Sequence, residues 1–310
     1  MKSGASHLRE YATACHGSRI LAVLAGIAVI SGCSTTKPST LDPVIKQYAD
    51  GANAAYSRGE VERADALYEK ALQRARLSDN RMEISRNAYN LALCRMVEGN
   101  LAGAAGLLDQ AESLAGVKGA EASLILLAKS EVARLSGKSA ESEQLARQAV
   151  DAGADREGRV HALLLQGEAA LVSGHNQGGV EHYRSARSGV SGQTPALIRA
   201  RIEALAVQLI HAGVLSGDIG AIQLSRADWL RKAGQFKEMV SALDGAAEFF
   251  EQAGKWSDAF DCRIRSAQSL MAAGNRDAAL QSANRAKDLA EKSGQASQKA
   301  LAAGVIKELN

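Results

Sequence analysis

The sequence predicts an all-α fold, an alpha solenoid of antiparallel helix pairs. Three observations predict it. Prolines are almost absent: 310 residues hold only Pro38, Pro43 and Pro195, so long stretches lack the residue that most strongly breaks helices. Aromatic residues make up 4% of the chain while alanine is abundant, so the core must close by bringing helices together over small side chains. Glycines return at regular intervals, and the segments between them carry helical periodicity. Val160, Leu163, Leu164, Gly167, Ala170 and Leu171 follow the i, i+3, i+4, i+7 rule, with no strand-like alternation nearby. At roughly 20 residues for a helix and its turn, about 13–14 helices follow the amino-terminal segment.

That segment is the first element. Ile20 to Ile30 form an apolar run preceded by the positive charges of Lys2, Arg9 and Arg19. Eleven apolar or small residues fall short of the roughly 20 that span a bilayer. Residues 1–32 therefore have the shape of a secretory signal peptide. The run closes with Ile30, Ser31, Gly32 and Cys33, which resembles the lipobox of bacterial lipoproteins. In that family the cysteine is acylated and becomes the first residue of the mature chain. The resemblance thus implies lipidation at Cys33 by chains such as palmitate, and a protein attached to the membrane of the cell envelope. Ser34 in the next position implies, by the same resemblance, the outer membrane with the chain facing the periplasm. Stable attachment takes two or more acyl chains, at about 0.8 kcal/mol per buried CH₂. Residues 33–43, polar and punctuated by proline, read as a tether.

The repeats come next. Gly59, Gly99, Gly137 and Gly174 are spaced by 40, 38 and 37 residues, whereas Gly234, Gly254, Gly274 and Gly294 are spaced by 20. The first series marks helix pairs and the second single helices. Five positions after the first seven glycines come Ala64, Ala104, Ser142, Gly179, Met239, Ala259 and Ala279. Twelve positions after them come Ala71, Ala111, Ala149, Ala186, Ala246, Ser266 and Ala286. Small residues seven apart share one face of a helix, so a neighbouring helix can approach it closely. Two arrays are expected, residues 44–188 and residues 195–310. An irregular loop, 189–194, separates them, and Thr194-Pro195 reads as a helix cap. Period alone leaves a HEAT-like or other helical array open.

Two stretches carry a more specific resemblance. In "NAAYSRGEVERADALYEKAL" it runs through Tyr56, Gly59, Ala64, Tyr68 and Ala71. In "NLALCRMVEGNLAGAAGLLDQAE" it runs through Leu91, Ala92, Gly99, Ala104, Leu108 and Ala111. Gly167, Trp256 and Ala259 extend it. These residues resemble the tetratricopeptide repeat (TPR) family, built of helix-turn-helix units with small residues at their contacts. The resemblance covers residues 44 to 309 and implies a concave groove lined by the first helix of each pair. Carried over by position, that lining is Lys46, Asp50, Asn53 and Tyr56, then Arg86, Tyr89 and Asn90, then Glu131 and Arg134, then His161 and Glu168. The implied role is to bind a protein or peptide partner.

Charge and motif content exclude other roles. Without the first 32 residues the chain holds 34 basic and 33 acidic side chains, too balanced to form the electrostatic footprint of a nucleic-acid-binding protein. Gly137-Lys138-Ser139 ends like a P-loop, but Val132 stands where the motif needs its first glycine. His175 and His182 flank a turn without a third ligand at suitable spacing. Neither a metal ion nor a cofactor is expected. Cys94 and Cys262, far apart in a helical array, read as small buried residues. Trp229, Phe236, Phe249, Phe250 and Trp256 concentrate aromatics late in the chain, first as core and second as a docking patch for a peptide. The reading is a non-enzymatic, lipid-anchored scaffold of the cell envelope. An envelope enzyme without a recognisable motif and a self-associating structural lipoprotein are the alternatives.

Overall fold

The computed structural model describes residues 42–115 and 119–309, which form fourteen helices and no strand. The chain divides at Thr194/Pro195 into two compact units. In unit 1, α1 (Pro43–Ser57), α2 (Val61–Leu77), α3 (Arg81–Val97) and α4 (Leu101–Leu114) are followed by α5 (Ala120–Leu135), α6 (Ser139–Asp151), α7 (Arg156–Val172) and α8 (Asn176–Gly189). Unit 2 comprises α9 (Ala196–His211), α10 (Ile219–Lys232), α11 (Phe236–Gln252), α12 (Trp256–Ala272), α13 (Arg276–Ser293) and α14 (Ala296–Leu309). Each unit is a stack of antiparallel helix pairs. Within each unit every helix packs on its neighbour in sequence, and in unit 1 α1, α3, α5 and α7 also touch one another in turn. The signal segment, Cys33 and most of the tether lie outside the described residues.

The turns explain the glycine spacing. At Gly59 the backbone φ is 77° and at Gly99 it is 78°, a left-handed conformation that a side chain disfavours. Gly59 N–H donates to Tyr56 O at 2.9 Å and Glu60 N–H to Ala55 O at 3.0 Å, the paired bonds that close a helix C-terminus. Midway between these glycines, Asp79 does the same work at φ 49°. Its N–H donates to Arg76 O at 3.1 Å, and Asn80 N–H donates to Ala75 O at 3.0 Å. The 40-residue spacing is therefore two spacings of 20 with the middle glycine replaced.

Helix starts are set by short polar side chains. Asn80, Asn100, Asp155, Asp218 and Asn275 each accept a hydrogen bond from a backbone N–H three residues on, satisfying a donor that the helix leaves open. Two boundaries differ from expectation. Asp42 and Pro43 open α1 instead of ending the tether: Asp42 Oδ1 accepts from Val44 N–H at 2.9 Å, and proline loses nothing at the first helical position. Thr194 does not cap α9. Its Oγ1 accepts from Ser191 N–H at 2.9 Å, folding the loop on itself, while Arg156 Nε donates to Gly189 O at 3.0 Å.

Small residues let the helices close. All fourteen positions counted from the turn glycines are buried, and Ala64, Ala71, Ala104 and Ala111 are wholly so. The approach is tight enough that a serine on one helix reaches the backbone of the next. Ser85 Oγ donates to Ala111 O at 3.0 Å, and Ser130 Oγ to Ser142 O at 2.7 Å. Tyr68, Leu72, Tyr89, Leu91, Met96 and Leu108 fill the core of α1–α5, and Phe250, Phe260 and Leu289 anchor that of unit 2. Cys94 and Cys262 are free buried thiols, and burial pushes each up to about 12.

Candidate partner-binding face

The first helices of unit 1 carry a row of polar groups that the second helices lack. Among the described residues, and tyrosines aside, Glu83, Ser85, Asn87, Asn90, Ser123, Ser130, Glu131, His161 and Gln166 are buried on α3, α5 and α7, but Ser142 is the one buried polar side chain on α2, α4, α6 and α8. Ser85 and Ser130 tie helices together. The others form the candidate face.

On α1, Lys46 is paired with Asp50 in an exposed ion pair. Asn53 Oδ1 accepts a hydrogen bond from the Tyr68 hydroxyl at 2.5 Å. Tyr56 is half-buried against the core. Burial pushes the hydroxyls of Tyr56, Tyr68 and Tyr89 upward, so they act as neutral hydrogen-bonding groups.

On α3, Arg86 Nη1 lies 3.3 Å from Glu83 Oε1. Asn87 Nδ2 donates to the Glu83 backbone carbonyl at 2.8 Å. Arg86 Nε is buried and has no hydrogen-bond partner. Tyr89 and Asn90, expected to line the groove, are buried instead and engaged in further interactions. The cause is topological, because α3 is enclosed by α1, α2, α4 and α5.

Across α5 and α7 the structure gathers four candidates into one cluster. Glu131, wholly buried, accepts from Arg134 Nε at 3.0 Å and from Nη2 at 2.5 Å. Arg134 Nε also stands 3.6 Å from Glu168 Oε2. His161 Nε2 is 3.7 Å from Glu131 Oε2 and has no hydrogen-bond partner. Glu131 and His161 thus correct the expected open lining as well: both are interior. Burying a charge pair costs several kcal/mol per ion before pairing repays it, and helix stacking alone would be served by apolar residues. Lys46, Asp50, Asn53 and Tyr56 on α1 are apart from this cluster.

Some features were not foreseen in the sequence. Glu83 and Asn87 stand three and one positions from Arg86 on the same helix, and the i, i+3 spacing of Glu83 with Arg86 was the available signal. In unit 2, Arg263 is buried and binds Asp244 at 2.8 Å and Glu251 at 3.1 Å, joining α12 to α11. Nothing in its local pattern marks it out.

The late aromatics do not form one patch. Phe249 and Phe250 meet edge to face at 6.2 Å, with Trp256 packed beside that core. Trp229 lies under Arg199 at 4.3 Å and Lys232 at 4.1 Å. Phe236 alone among them is largely exposed. Gly137-Lys138-Ser139 is a helix turn, with Lys138 at the cap position of α6 and 3.2 Å from Glu141. His175 precedes α8 and His182 lies within it. Among the described residues no cluster of three or more metal-ligating side chains occurs, and no helix is long and apolar enough to cross a membrane.

No family model and no curated protein matches the chain. Solved structures similar to it at low identity include TPR proteins. MamA protein is 14% identical, covering 69% of this chain and 96% of its own, with a TM-score of 0.40. A tetratricopeptide repeat protein from Parabacteroides merdae is 12% identical over 86% of this chain and 99% of its own, with a TM-score of 0.42. YrrB, described as a TPR protein with an unusual peptide-binding site, is 15% identical over 76% of this chain and 98% of its own, with a TM-score of 0.34.

Proposed function

We propose that the protein is a lipid-anchored, non-enzymatic scaffold of the cell envelope that binds a protein or peptide partner along the first-helix row of unit 1. One observation carries this reading: the charged side chains of Arg86 on α3, Arg134 on α5 and Glu168 on α7 stay partly exposed along a row of first helices whose other polar members are buried. A partner that presents a complementary charge or hydrogen-bonding group to these side chains gains charge-assisted hydrogen bonds there. Arg134 is held by buried Glu131 and stands beside Glu168, so its charge is fixed in place and adds specificity to what binds there. The anchor at Cys33 and the outer-membrane, periplasm-facing location rest on the lipobox-like ending and on Ser34.

The test is copurification from the envelope, comparing the unaltered chain with a double variant, Arg86→Glu with Asn90→Ala. Loss of the copurifying partner by at least about tenfold, roughly 1.4 kcal/mol, with helicity unchanged, is expected. Retention at full yield refutes the site, and recovery of the chain itself as the only partner points to self-association. In parallel, Cys33→Ser should abolish incorporation of labelled fatty acid; labelling that persists refutes the anchor.

A further inference from the structure

A cavity of about 410 Å³ opens in unit 2, lined by Leu224 of α10 and by Asp258, Asp261, Cys262, Ile264 and Arg265 of α12. We propose that it receives a lysine or arginine side chain from a segment of a partner protein. It lies on other residues than the first-helix row of unit 1 and does not depend on that row.

Leu224 and Ile264 give the cavity an apolar wall against which the methylene stem of a basic side chain can lie. Asp258 and Asp261, three apart on one helix, face the same way at its exposed rim. Neither has a salt-bridge partner among the described residues, because the surrounding cations are committed elsewhere. Arg265 binds Asp228 at 2.5 Å, Lys255 binds Asp218 at 3.2 Å, and Arg263 binds Asp244 and Glu251. Partial burial, and then the charge of Asp258, hold the Asp261 carboxyl above its usual range against the pull of Arg265. An incoming cation relieves that repulsion; an anion or a neutral side chain does not.

The rim position also decides what carries the cation. An exposed ion pair contributes little by itself, so a small free cation gains almost nothing there. A basic side chain held by its own stem and by the rest of a bound segment gains both contacts. A hard metal ion would need about six oxygen ligands, and the cavity offers two carboxylates and an apolar wall.

The probe is fluorescein-labelled decalysine, titrated into the full chain in detergent and followed by anisotropy. Asp258→Asn with Asp261→Asn should weaken binding about tenfold, and Leu224→Ala, which leaves charge unchanged, about threefold. The control Asp277→Asn with Asp288→Asn removes the same charge from exposed positions of α13 and should change binding by less than about twofold. Backbone amide shifts of Asp261 and Ile264 in the unaltered chain on adding decalysine provide a readout free of substitutions, and helicity checks each variant. The proposal is overturned if decalysine does not bind or leaves those amides unmoved, if the control loses as much as the cavity pair, or if folded Leu224→Ala binds normally. Displacement of decalysine by spermine at equal charge concentration would show a polyamine site instead. Normal decalysine binding by the Arg86→Glu, Asn90→Ala variant is expected, so this result and that for unit 1 fall or stand separately.

Discussion

Replacing Ala111 by leucine tests the close approach of α3 and α4. Ala111 is wholly buried, and its carbonyl accepts the Ser85 hydroxyl at 3.0 Å. Three added carbons have no room at this contact, and overpacking of this kind destabilises by about 1–3 kcal/mol. Pushing the helices apart also strands a buried hydroxyl, at roughly 1 kcal/mol or more. The expected loss is about 2–4 kcal/mol, which accelerates exchange of α3 and α4 amides through local opening by roughly 30-fold or more. Hydrogen exchange resolved by residue, at fixed pH and temperature, measures it. Ser85→Ala removes only the hydrogen bond and should lose about 1 kcal/mol, roughly fivefold in exchange. If Ala111→Leu exchanges within about twofold of the unaltered chain, the face carrying Ala111 is not a helix contact, and the role given to the small-residue stripe is wrong.

Two further outcomes follow from the turns and caps. Asp79→Gly should stabilise unit 1 by about 0.5–1 kcal/mol, since φ at Asp79 is 49° and glycine tolerates that region; a lower urea midpoint would count against it. The Asp218 carboxyl is held below its usual range by the Ala221 backbone N–H and by the Lys255 ammonium. Its contribution is present above the ordinary carboxylate value near 3.8 and is lost as pH falls through the depressed folded value. Asparagine also caps helices but does not titrate there, so Asp218→Asn should flatten the acid limb of unit 2 stability, read by tryptophan fluorescence because Trp229 and Trp256 both lie in that unit. An unchanged acid limb would remove Asp218 from the account.

The sequence by itself determined the helical repeat, because each cause is local. A left-handed turn needs glycine, and an interhelical contact needs a small residue at a constant distance from it; Gly59, Ala64 and Ala71 report both. Asp79 escaped notice because a short polar residue can adopt the same conformation at a cost, so composition did not mark it. The candidate site was legible only as a set of positions. Which of those positions reach solvent depends on how many helices enclose each one. Only packing decides that: Lys46 and Asp50 remain exposed while Tyr89 and Glu131 are buried. The pairing of Glu131 with Arg134 is written in their i, i+3 spacing. The meeting of Glu131 with His161, 30 residues away in sequence, and of Arg265 with Asp228 joins helices that do not follow one another in the chain, and tertiary structure alone brings such charges within reach.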